Sequence, residues 1–92
     1  MVKYIRQYVM VNSVFDRTGE MSPREIIWKD GRKFQIECIR DVKPVTPDPE
    51  ERKDCYTVII AGQTKQLFFE RLDQRIFRQP GRWFVKIPQY DN

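Results

Sequence analysis

Asp30 and Gly31 stand between two runs of alternating residues, and this arrangement constrains the fold more than any other feature of the 92-residue chain. Before the pair, Ile26 and Trp28 share one face; after it, Phe34, Ile36 and Cys38 alternate with Lys33, Gln35 and Glu37. A period of two marks a half-buried strand. An Asp-Gly pair between two such runs predicts a hairpin with a type I′ turn, whose two central residues both need φ > 0. The phase of the second run slips at Ile39 and Val42, which places a bulge or bend near Cys38 and Ile39.

The same pattern recurs along the chain. Tyr8 to Phe15 is rich in β-branched and aromatic residues and ends in the turn-forming cluster 16–20, while Met21 to Trp28 carries Pro23 near its start, where a missing amide is tolerated. Cys55 to Ala61 and Lys65 to Phe69 flank a tight turn at 62–64. Arg82 to Ile87 is the last strand, with Trp83, Val85 and Ile87 on one face and Phe84 and Lys86 on the other. Lys43 to Asp54 holds three of the six prolines, so it reads as a flexible loop (44–54) through which no ladder runs. Within 70–79, Leu72 and Ile76 fall at i, i+4 and Arg71, Arg75 and Arg78 at i, i+4, i+7, a helical period that Pro80-Gly81 would end. The alternative is that residues 75–79 fold back on 82–86 across the Pro-Gly turn. The expectation is one all-β domain over residues 1–92, ordered over about 8–88. Its form is a strongly bent six-stranded antiparallel sheet, or an SH3-like or OB-like barrel, with one short helix or loop at 70–81.

The side-chain inventory narrows function. There is no histidine, which removes His-based triads, HExxH zinc sites and imidazole proton shuttles. Cys38 and Cys55 are too few and too far apart in sequence for a structural zinc site. Cys38 is expected as a small core residue and Cys55 as a packing residue at a strand start, where Lys53 would lower its pKa. Asp48, Glu50, Glu51 and Asp54 read as a solvated loop face, because three prolines and Arg52-Lys53 oppose a cation site. The expected protein is therefore no enzyme and uses no cofactor and no metal. Trp28 and Trp83 are expected to pack together, and Phe68 and Phe84, out of phase with the core residues, to pack beneath the 70–79 helix or else to stand exposed on that face.

Charge points to the partner. The net charge is +4, and residues 64–88 carry six basic side chains against two acidic ones. Arg71, Arg75, Arg78, Arg82 and Lys86 with Phe77 form the candidate binding surface, since cations meet phosphates and rings stack on bases. The expectation is an accessory nucleic-acid-binding module for single strands; the alternative is a protein-interaction module that takes an acidic partner or self-associates through a strand edge. The chain is expected as a monomer or weak homodimer. The eight-residue apolar stretch after Lys3 and Arg6 is too short and too interrupted for a signal peptide, and no window approaches a membrane span, so the expected compartment is the cytoplasm.

The string Trp28-Lys29-Asp30-Gly31-Arg32-Lys33-Phe34-Gln35-Ile36, with Tyr56 opening a strand, Leu67-Phe68-Phe69 in the next and Arg82-Trp83-Phe84-Val85 near the end, resembles a group of small uncharacterised bacterial proteins. Found mainly in Gram-positive bacteria, they show a Trp-acidic-Gly-Arg-aromatic hairpin and a terminal Arg-Trp-Phe strand. The likeness spans residues 8–87 in order and spacing and implies a compact β fold. This chain departs from the group in its proline-rich acidic loop at 44–54 and its longer stretch at 70–81.

Overall fold

The computed structural model describes residues 2–45, 52–73, 75, 76 and 80–90. Seven strands form one antiparallel sheet: β1 (Val2–Phe15), β2 (Met21–Ile27), β3 (Lys33–Gln35), β4 (Cys38–Pro44), β5 (Lys53–Ile60), β6 (Gln63–Arg71) and β7 (Gly81–Tyr90), in the order β3-β2-β1-β7-β6-β5-β4. The two ends of that order are consecutive in sequence. Only Ile36 and Glu37 link them, and Ile36 N–H donates to Arg24 O at 2.9 Å while Glu37 N–H donates to Ile59 O at 2.8 Å. One link thus touches both ends of the sheet, which curls it into a half-barrel. Among the described residues no helix is long and apolar enough to cross a membrane.

Seven strands stand where six were expected, because the run after Gly31 breaks at Ile36-Glu37 and its halves pair with different partners. The predicted bend lies close by, as a shift of register between Ile39 and Asp41. Cys38 is exposed to solvent, against the expected core position. Pro23 sits at the other irregularity, opposite Ser13 where the β1–β2 register shifts, a place where the ladder does not need its missing amide.

The turns obey different rules from those expected. Gly31 N–H donates to Trp28 O at 2.9 Å and Trp28 N–H to Arg32 O at 2.8 Å, and Gly31 has φ +92° while Lys29 and Asp30 do not enter the positive region. This is a type I turn followed by a left-handed glycine, not a type I′ turn. Asp30 holds it, accepting from Arg32 N–H at 3.0 Å and from Arg32 Nε at 2.7 Å. The turn at 16–20 is built alike: Asp16 Oδ1 accepts from Thr18 N–H at 2.8 Å and from Glu20 N–H at 3.0 Å. The two-residue turn of type I′ character lies instead at Ala61-Gly62, with φ +51° and +75° between the paired Ile60 and Gln63.

No helix forms from the described residues of 70–79. β6 continues to Arg71, and its rungs Glu70↔Arg82 and Arg71↔Gly81 start the pairing with β7. Residues 82–84 pair with β6 and 83–86 with β1, and the described residues 75 and 76 of the fold-back alternative form a turn, not a strand against them. The helical spacing of Leu72 and Ile76 carried little weight, since Ile76 stays 74% exposed while Leu67 and Phe69 bury on the strand phase. The proline-rich loop is also shorter than expected: the β4–β5 ladder runs to Pro44↔Asp54, and Val45 N–H donates to Lys53 O at 2.9 Å. Order likewise begins before residue 8, as β1 pairs with β7 from Val2↔Tyr90 onward.

The inner face of the half-barrel carries the main core: Ile26, Ile36, Tyr56, Val58, Leu67, Phe69 and Trp83. Trp83 packs on Tyr56 at 5.1 Å and on Phe69 at 4.8 Å between ring centroids, whereas Trp28 lies half-buried at the edge of a cleft rather than against it. Gly81 has a steric task, since a Cβ there would overlap the Phe69 ring and the Glu70 carbonyl oxygen. The missing side chain lets β7 enter the sheet over that ring.

Candidate functional site

The outer face of β1, β7 and β6 is a second, smaller aromatic core, and it gathers two of the predicted binding residues. Phe68 and Phe84 face each other across the last β6–β7 rung and stack at 5.1 Å, with Tyr8 edge-on to Phe84 at 5.6 Å. Among the described residues no helix covers them; cations do. Arg6 lies over Phe84 at 4.8 Å, Arg82 over Tyr8 at 4.2 Å and Lys86 over Phe68 at 4.8 Å. Cation–π contact of this kind pairs an aliphatic stem with an apolar ring while the charge stays in water. Phe68 and Phe84 are left only 4% and 1% exposed, so neither ring is open for a base to stack on.

Glu70 ties this face together. Its carboxylate accepts from Arg82 Nε at 2.7 Å and from Tyr8 Oη at 2.9 Å, and pairs with Arg6 at 3.4 Å. Burial works to raise the Glu70 carboxyl, but the hydrogen bonds from Arg82 and Tyr8 and the charges of Arg82 and Arg6 outweigh it and hold the group below its ordinary range. The Arg82 guanidinium is raised in turn by that hydrogen bond. Arg6, Tyr8 and Glu70 were not legible as site residues. The signal for Arg6 and Tyr8 was their spacing of two, which puts both on one face once β1 is extended back to Val2.

The other predicted residues are not brought together. Arg71 pairs with Asp54 at 3.1 Å on the neighbouring strand, and Arg75 with Asp73 at 3.0 Å within its own turn. The helical face on which they were to line up does not exist among the described residues. Phe77 and Arg78 lie outside the described residues, as do Asp48, Glu50 and Glu51. Among the described residues no three Cys, Asp or Glu side chains converge as a metal centre requires. Burial raises the Cys55 thiol despite the charge of Lys86, which opposes the lowering expected from Lys53 and leaves Cys55 a packing residue.

A cleft opens where β6 and β7 part. Their pairing ends at Phe68↔Phe84, while β6 continues along β5 as far as Gln63 and β7 along β1 as far as Tyr90. Two-stranded ribbons twist strongly, and two that share only a few rungs diverge. The gap between them is a cleft of about 1080 Å³. Its walls are Thr64 to Phe68 and Val85 to Pro88, and its floor includes Val58 and Ile60. Trp28, Arg32 and Phe34 from the first hairpin, with Tyr4 from β1, complete the lining. Three cations line it (Arg32, Lys65 and Lys86), and no carboxylate does among the described residues. Arg32 is shared with Asp30 just outside, but neither Lys65 nor Lys86 has an ion-pair partner among the described residues. Against this frame of fold and cleft, no protein-family model, no curated protein and no solved structure matches the chain.

Proposed function

We propose that this chain is a non-catalytic protein-interaction module that takes an acidic partner in the β6–β7 cleft. The observation that carries the reading is the lining: a mostly apolar surface with three cations and, among the described residues, no carboxylate. A cleft lined by charge of one sign attracts the opposite charge and rejects its own. The outer face serves less well, because Glu70 occupies Arg6 and Arg82 and because the cations already cover the rings. Single-stranded nucleic acid is the second reading. It is favoured by Trp28 and Phe34 at the cleft, where Arg32 stands 5.7 Å from the Phe34 ring.

The test compares ligands and charges. A fluorescent acidic peptide should bind with an affinity that falls as salt rises. The Arg32→Gln, Lys65→Gln, Lys86→Gln triple variant should lose at least about tenfold in affinity, the order expected for removing charge-assisted contacts. A single-stranded oligonucleotide that binds at low salt more tightly than the peptide, with a slope of about −0.7 per phosphate neutralised, would transfer the cleft to the second reading.

A further inference from the structure

The two walls of the cleft are strand edges, and their main-chain groups can be assigned. Arg71 N–H donates to Arg52 O, so the odd residues of β6 turn their main chain toward β5. Leu72 N–H donates to Pro80 O, so the even residues of β6 and of β7 turn theirs toward each other. Successive residues of a strand alternate in this respect. The registers of β5–β6 and β1–β7 run without a shift, so the alternation holds along both strands. Glu70 and Phe68 spend these groups on the rungs with Arg82 and Phe84. Beyond the last rung, Thr64 and Gln66 on one wall and Lys86 and Pro88 on the other face the gap with no strand partner there among the described residues. Main-chain donors and acceptors that face an apolar gap are the template for an added strand.

Resting on the reading of the cleft as an acidic-partner site, we infer that the partner enters as an extended segment of about four residues and adds as a β-strand between β6 and β7. The length follows from the stretches beyond the last rung that line the cleft, Thr64–Leu67 and Val85–Pro88, which are both four residues long. Because β6 and β7 are antiparallel, the added strand runs parallel to one and antiparallel to the other. Its side chains alternate. One set faces inward to Leu67, Val85 and Ile87 and is apolar there, with an acidic residue only where it reaches Lys65 on the same face; the other faces outward beside Lys86 and is acidic. Pro88, with no N–H to give, stands where an open edge would otherwise recruit any strand, and Lys65 and Lys86 repel strands that are basic.

The probe is a labelled ten-residue peptide of alternating valine and glutamate, measured by fluorescence anisotropy against the full chain. Its controls are a peptide with the same residues in two blocks and one with lysine in place of glutamate. Gln66→Pro removes an N–H that the β5–β6 ladder does not use, and it should weaken binding about tenfold, whereas Gln66→Ala keeps the N–H and should stay within about twofold. In the unsubstituted chain, saturating peptide should slow hydrogen exchange at the Thr64, Gln66 and Lys86 amides, a readout that stands even if the proline variant does not fold. Equal binding by Gln66→Pro and no added protection would overturn strand addition and, if the triple charge variant still loses affinity, leave the acidic-partner reading intact. A proline effect without any charge effect would do the reverse. Failure of the alternating peptide to bind better than the block peptide would overturn the register. A two-copy mass in the absence of peptide would assign the cleft to a second copy of the chain and overturn the inference.

Discussion

The two ends of the β6–β7 pair are built from the same strands and have opposite character. At one end Phe68 to Arg71 meet Gly81 to Phe84 rung by rung, with a glycine admitting the Phe69 ring on the inside and Glu70 collecting Arg6, Tyr8 and Arg82 on the outside. At the other end Thr64 to Leu67 and Val85 to Pro88 diverge, and each strand keeps only its other neighbour. The closed end is where side chains complete one another; the open end is where two lysines and a proline line a gap. A few rungs thus act as a clasp that holds two twisted ribbons together, and the cleft is the space the clasp leaves unfilled.

The strongest way to break this contrast is to empty the clasp. Phe84→Ala removes a ring that is 1% exposed and stacked on Phe68, and should cost about 3–5 kcal/mol in urea unfolding, as large-to-small core substitutions do. A loss below about 1 kcal/mol would show that the outer cluster is not a second core. Gly81→Ala comes next: its methyl group meets the Phe69 ring, and overpacking of this kind costs about 1–3 kcal/mol. Thermal unfolding of that variant at or above the parent midpoint would show that the entry of β7 is not set by this contact.

Glu70→Gln should have a smaller effect, about 1–2 kcal/mol at neutral pH, because hydrogen bonds survive in part while the charge of the hub is lost. Its pH dependence has a definite sign. The Glu70 carboxyl is held below its ordinary value of 4.5, so its contribution is fully present above that value and disappears as pH falls through the lower folded one. The gap in urea midpoint between parent and Glu70→Gln should therefore narrow between neutral and acid pH; parallel curves would remove Glu70 from the hub. The smallest effect belongs to the open end. Lys65→Gln should change stability by no more than about 0.5 kcal/mol, since its exposed side chain has no ion-pair partner among the described residues, and a larger loss would make the splayed strands part of the stabilising structure.

Local chemistry in the sequence was enough for the strand class, for the hairpin at residues 29–32 and for the opposite facing of Phe68 and Phe84, since each depends on residues near one another in the chain. Even there the turn type escaped. Asp30-Gly31 matches type I′ in composition, yet the structure spends the glycine as a bulge after a type I turn, in which Asp30 holds both the N–H and the side chain of Arg32. The proline-rich segment was read too long for a similar reason: Pro44 and Asp54 pair at the rim of a ladder started far below them.

What only the tertiary structure decided was every feature that joins distant residues. The helical spacing of Leu72 and Ile76 was a genuine local preference, but pairing Glu70 and Arg71 with β7 buries Phe68, Phe69 and Trp83 together, and that gain is larger than a turn of exposed helix provides. Arg6 and Glu70 lie 64 residues apart and share a hydrogen bond that no window along the chain contains. The cleft is the extreme case. It arises from the place where two ladders stop sharing rungs, and a ladder's end is set by how two ribbons twist around a common core, which periodicity in one strand does not encode.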